Sequence, residues 1–130
     1  MDRNNIDSLD LKRMFKRLQS EEFIDFVRDQ LSGAGAVVSK RMFGGVGLYL
    51  DGLFFAIIEN DTLRFKVDET NRADYEAQGM RPFKPYKNKD HTMNYYEVPV
   101  DVLEDQPTLK EWAIKTLCVA RAAKGNKKRK

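Results

Sequence analysis

Hydrophobic and polar positions change period several times along the chain, and each change marks an element. Over residues 8–19, Leu11, Met14, Phe15 and Leu18 recur at helical spacing. Lys12, Arg13, Lys16 and Arg17 fill the rest of the helix surface, and Ser8 is placed to cap it. The pattern predicts a basic amphipathic helix whose apolar stripe packs on the body of the protein or on a second copy. A second helix is predicted from about Ser20 to Leu31. Glu21, Glu22 and Asp25 favour its positive end, Phe23, Phe26, Val27 and Leu31 form one face, and Gly33-Ala34-Gly35 ends it.

Beyond the glycines the period falls towards two. A strand near Ala36 to Arg41 leads into Arg41–Ile58, which reads as a β-hairpin around Asp51-Gly52. Those two residues tolerate the positive φ that a type I′ turn requires. Asn60-Asp61 marks a second turn, and Leu63, Phe65 and Val67 alternate with Arg64, Lys66 and Asp68, so that strand has one wet face. A short helix is predicted over about Asn71 to Gln78, stopped by Gly79. Pro82 and Pro85 then bracket Phe83-Lys84 as an edge strand, because proline cannot donate to a ladder. Thr92 to Val98 returns as a strand, and a last helix begins near Pro107 with Leu109, Trp112, Ala113, Thr116, Leu117 and Ala120 inward. The order α-βββ-α-ββ-α predicts a single α+β domain: one curved antiparallel sheet of about five strands, covered by helices. Residues 1–19 form an extension, 20–123 the domain, and 124–130 a disordered basic tail.

A chain of 130 residues suits one such domain, and it can bury a core without a metal or disulfide. The single Cys118 cannot form an internal bridge, which fits a reducing, cytoplasmic setting. The polar N-terminus does not read as a signal peptide, and no stretch reaches membrane-spanning length. Net charge is +3, but the five cations from Lys124 to Lys130 account for it; without them 18 basic residues face 20 acidic ones. Residues 1–19 hold five basic and three acidic residues, so residues 20–123 sum to −4.

Catalytic patterns are scarce. His91 is the only histidine, which excludes a histidine pair for zinc, and no cofactor motif is present. Cys118 could pair with His91, but its neighbours Leu117 and Val119 predict an apolar setting that raises a thiol pKa. Gly44-Gly45-Val46-Gly47 is followed by a strand, whereas a phosphate loop needs a helix there. The glycines therefore predict a bulge, or a place where a side chain packs against the backbone. Arg81, Lys84, Lys87 and Lys89 interleave with Phe83 and Tyr86, a composition that suits single-stranded nucleic acid as well as a solvated hairpin. Lys127, Lys128, Arg129 and Lys130 offer further, nonspecific phosphate contacts, so weak binding to DNA is one expectation.

Several motifs in one order carry a family resemblance. They are Arg41-Met42-Phe43-Gly44-Gly45-Val46-Gly47-Leu48-Tyr49, Asp51-Gly52-Leu53-Phe54-Phe55-Ala56 and Asp61-Thr62-Leu63-Arg64-Phe65-Lys66-Val67-Asp68. Asn71-Arg72, Gly79-Met80, Pro82-Phe83 and Met93-Asn94-Tyr95-Tyr96-Glu97-Val98-Pro99 follow. From about Ser20 to Ala123 the chain resembles the N-terminal domain of the TfoX/Sxy family of bacterial competence regulators. The resemblance implies a secretion-chaperone-like α+β fold and a cytoplasmic, non-enzymatic regulator that influences transcription through a protein partner. It makes Arg41, Met42, Phe43, Gly44, Gly45, Tyr95 and Tyr96 the signature, available for interaction or for architecture. It supplies no catalytic residues and no cofactor. Direct nucleic-acid binding, a small-molecule or enzymatic site near the glycines, and a homodimer are further expectations.

Overall fold

A computed structural model describes residues 21–42, 45–83 and 93–129. The predicted helix over 8–19 lies outside these, as do Phe43, Gly44, Lys84, Tyr86, Lys87, Lys89, His91 and Lys130. The first described element, α1, is a helix over residues 21–30. It buries Val27 and Leu31, with Phe23 and Ile24 partly buried against the same core. Phe26, predicted on this face, is 40% exposed. One residue before Val27, it stands about 100° round the helix from the buried stripe, and Ile24 takes the inward place.

The sheet is antiparallel throughout. Its strands are β1 (Val38–Met42), β2 (Gly45–Leu50), β3 (Leu53–Glu59), β4 (Thr62–Lys66), β5 (Pro82–Phe83) and β6 (Met93–Glu97). They lie in the order β1-β2-β3-β4-β6-β5. Four strands precede α2 (Arg72–Glu76), one for each strand segment read along the sequence, where the predicted order α-βββ-α-ββ-α counts three. The predicted turns have the backbone their residues require: Asp51 and Gly52 lie at φ 52° and 78°, Asn60 and Asp61 at 52° and 53°. Both connect strands as type I′ turns, whose twist matches that of the strands. The ladder between β2 and β3 shifts at Leu48/Tyr49, where Tyr49 pairs with Phe54 and Leu48 with Ala56. Phe55 is the extra residue of this bulge, fully buried and 5.9 Å from the Phe65 ring. The irregularity thus falls beyond the glycines.

Helices cover one face. Val46, Leu48, Ala56, Ile58, Leu63, Phe65 and Tyr96 point into a core completed by Leu109 and Ala113 of α4 (Gln106–Arg129). A short turn of helix, α3 (Val100–Leu103), intervenes between β6 and α4 and buries Val102 and Leu103. Asp105 starts α4: its carboxylate accepts both the backbone N–H, at 3.2 Å, and the hydroxyl of Thr108. The helix does not stop at Gly125. It continues to Arg129, so residues 124–129 are helical where a disordered tail was expected. Gly125 is not among the positive-φ residues and so does not form a left-handed cap. One interior glycine costs only about 1 kcal/mol, which a helix of this length absorbs.

Polar groups inside the core tie these layers together. Asn71 is 2% exposed; its Oδ1 accepts the Asp68 N–H at 2.9 Å and its Nδ2 donates to the Lys66 carbonyl at 3.2 Å. Thr116 donates to that same carbonyl from α4. Gln30 of α1 donates to the Leu103 carbonyl at 2.9 Å and accepts from Gln106 at 3.0 Å. Each bond satisfies a group that burial would otherwise leave unpaired.

Candidate functional site

Among the described residues, a cleft of about 340 Å³ lies at the β4–β6–β5 end of the sheet. Because β6 inserts between β4 and β5, Glu97 stands directly opposite Arg64, and Pro82 opposite Tyr96. The segment Gly79–Phe83 supplies the remaining wall. Its path is set by α2. Gly79 adopts φ 76° and ends the helix, while the Met80 N–H returns to the Tyr75 carbonyl at 3.0 Å. Arg64 is held in two ways. Its Nη1 donates to Glu59 Oε1 at 3.0 Å, and its guanidinium lies 4.1 Å from the Phe83 ring centroid. The Arg64 side chain is 16% exposed, whereas Arg81 and Glu97 are exposed.

The sheet face away from the core carries a row of aromatic side chains. Tyr49 and Phe54 stack at 5.1 Å, and Phe54 approaches Tyr95 at 6.0 Å. Lys40 stands 5.5 Å above Tyr49, and Lys66 stands 5.9 Å from Tyr95. Burial, and secondarily Tyr49, push the Tyr95 hydroxyl up to about 12. On the core side, Tyr75 lies 5.7 Å from Tyr96 and meets Trp112 edge-on at 4.6 Å. Burial, reinforced by Asp74, moves its ionisation strongly upward.

The signature residues do not converge on one site. Arg41 is exposed on β1, at one end of the sheet. Tyr95 and Tyr96 lie on β6, four strand spacings away, or about 19 Å. They also point to opposite faces, Tyr96 into the core and Tyr95 to the aromatic row. Met42 and the glycines form a packing unit. A Cβ on Gly47 would lie 2.8 Å from the Met42 methyl and 3.1 Å from the Phe54 ring; one on Gly45 would lie 2.8 Å from the Ile58 carbonyl oxygen. The predicted packing of a side chain on glycine backbone is therefore seen at Gly47. Phe43 and Gly44 lie outside the described residues.

Of the basic hairpin, Arg81 lines the cleft, while Lys84, Lys87 and Lys89 lie outside the described residues. Lys127, Lys128 and Arg129 belong to the last turns of α4. Cys118 is exposed, not enclosed by its apolar neighbours, and its supposed partner His91 lies outside the described residues. Among the described residues, no group of three His, Cys, Asp or Glu side chains could hold a metal ion, and no helix is long and apolar enough to cross a membrane. Arg64 and Glu97 escaped sequence reasoning as a pair. The alternation around Leu63 puts Arg64 on a wet face, but no local signal places β6 beside β4.

The chain is not matched by any curated protein. The family model described as TfoX N-terminal domain matches it over residues 29–120. That span contains β1 through β6 and ends within α4.

Proposed function

We propose, on the premise that this chain belongs to the TfoX N-terminal domain family, that it is a non-enzymatic cytoplasmic regulator that influences transcription or competence through a protein partner. The observation that carries this reading is the edge of the sheet at β1. β1 pairs with β2 on one side, and among the described residues no strand pairs with its other side. Val38 there is 54% exposed, and Lys40 and Arg41 are exposed. A five-residue edge without proline can accept another strand, which receives main-chain hydrogen bonds from the edge and selectivity from its side chains. The two cations favour an acidic extended segment. They oppose pairing of β1 with a second copy, because an antiparallel arrangement centred on Lys40 sets like charges against each other.

The test is capture of partners from an extract of the native cell by the intact protein and by the double variant Lys40→Glu, Arg41→Glu. The intact protein retains a specific partner and the variant loses it, with the thermal melt of both unchanged. Identical partners for both forms would remove β1 from the contact. Loss of the partner together with a lowered melting temperature would make these residues scaffolding.

A further inference from the structure

We propose that the cleft between Arg81 and Glu97 binds a small zwitterion of the α-amino-acid class. This goes beyond the partner reading and does not depend on it, since β1 and the cleft lie at opposite ends of the sheet. Three observations converge.

The first is unpaired opposite charge. Arg81 and Glu97 line the same cleft, yet they form no ion pair with each other. Among the described residues neither has another ion-pair partner. Glu97 stands opposite Arg64 in register, but Arg64 gives its Nη1 to Glu59 instead. The cleft therefore presents a guanidinium and a carboxylate more than an ion-pair distance apart. A ligand that carries a carboxylate and an ammonium satisfies both, whereas a simple anion meets repulsion from Glu97.

The second observation is a fixed floor. Arg64 is clamped by Glu59 and by the Phe83 ring, so its guanidinium is ordered before any ligand arrives. Arg64 thus forms a fixed floor of the cleft, and Arg81 and Glu97, both exposed, are the side chains that a ligand orders. The third is size and lining. About 340 Å³ stands at the small end of ligand pockets, and Met80, Pro82 and Phe83 offer apolar contact for a ligand side chain. In this arrangement the ligand carboxylate lies on Arg81, its ammonium on Glu97, and its side chain along Met80 and Pro82.

The experiment titrates the full chain with each of the twenty common amino acids, and with inorganic phosphate and acetate, by ligand-observed NMR followed by calorimetry. At least one amino acid binds. Its methyl ester and its N-acetyl derivative each bind about tenfold more weakly or worse, because each lacks one of the two charges. Arg81→Ala and Glu97→Gln produce losses of the same order, and their circular dichroism melts match that of the parent because both positions are exposed. The proposal is overturned if no amino acid binds, if phosphate or acetate binds equally well, or if blocking either charge leaves the affinity intact. Failure here leaves capture at β1 untouched, and failure of capture leaves this titration untouched.

Discussion

The Thr116 hydroxyl donates to the backbone carbonyl of Lys66, fifty residues earlier, and so pins the middle of α4 to the end of β4. The same carbonyl accepts from Asn71 Nδ2, so both of its acceptor positions are filled from within the protein. Replacing Thr116 with valine keeps the volume and removes one donor while Asn71 remains. A loss of about 1 kcal/mol is expected. Asn71→Ala removes two bonds at a buried site and leaves the Asp68 N–H unsatisfied, at a cost of about 2–3 kcal/mol. The double variant loses more than the sum of the two, because the Lys66 carbonyl then has neither donor. Urea unfolding of the four proteins closes the cycle.

The glycines of β2 differ in what an added methyl group meets. At Gly45 it approaches the Ile58 carbonyl oxygen, a backbone atom that cannot move alone. At Gly47 its nearest neighbour is the end of the flexible Met42 side chain, with the Phe54 ring next. Gly45→Ala is expected to destabilise by about 2 kcal/mol or more, and Gly47→Ala by less. Shortening Met42 to alanine in the Gly47→Ala background is expected to recover part of the loss. Chemical denaturation distinguishes these outcomes.

Arg64 joins an ion pair to a ring contact, and the two separate by mutation. The pair with Glu59 is partly exposed, so Glu59→Gln costs less than about 1 kcal/mol, and less again at high salt. Arg64→Ala also uncovers the Phe83 ring and therefore costs more, with a part that salt does not screen. Melting temperatures of both variants at low and high ionic strength are the measurement.

Much of the sheet was legible because its determinants are local. Asp51-Gly52 and Asn60-Asp61 specify tight turns through their own backbone preferences, and Pro82 marks β5 as an edge by lacking a donor. The buried stripe of α4 followed from side-chain spacing. Phe26 departs from its spacing because α1 buries only a narrow stripe through Val27 and Leu31, whereas aromatic spacing alone predicts a broad face. Gly125 misled because a helix with no cap can still absorb one glycine. The cleft was illegible for a different reason. Arg64, Arg81 and Glu97 meet only because β6 enters between β4 and β5, a long-range pairing that no periodicity encodes.

Alkaline pH tests the tyrosines. Tyr95 ionises near 10 in the unfolded chain and at about 12 in the folded protein, because burial and Tyr49 disfavour its anion. Below pH 10 both states keep the proton and its contribution to stability is complete. As pH rises from 10 towards 12 the unfolded chain releases the proton first, so stability falls. Tyr75 acts in the same direction. Urea midpoints measured across this window are expected to decline, and Tyr95→Phe to decline less steeply. Absorbance of tyrosinate reports the delayed ionisation directly.

The insertion of β6 has a consequence for synthesis on the ribosome. β1 through β4 follow one another at intervals of two residues and can assemble as each emerges, whereas the neighbour of β4 is encoded some thirty residues later. Until Tyr96 is available, the nascent meander holds a raw flank with Phe65 unshielded, the condition under which strands from different chains stick together. Closure of that flank is thus the moment when the newborn polypeptide becomes safe from its neighbours.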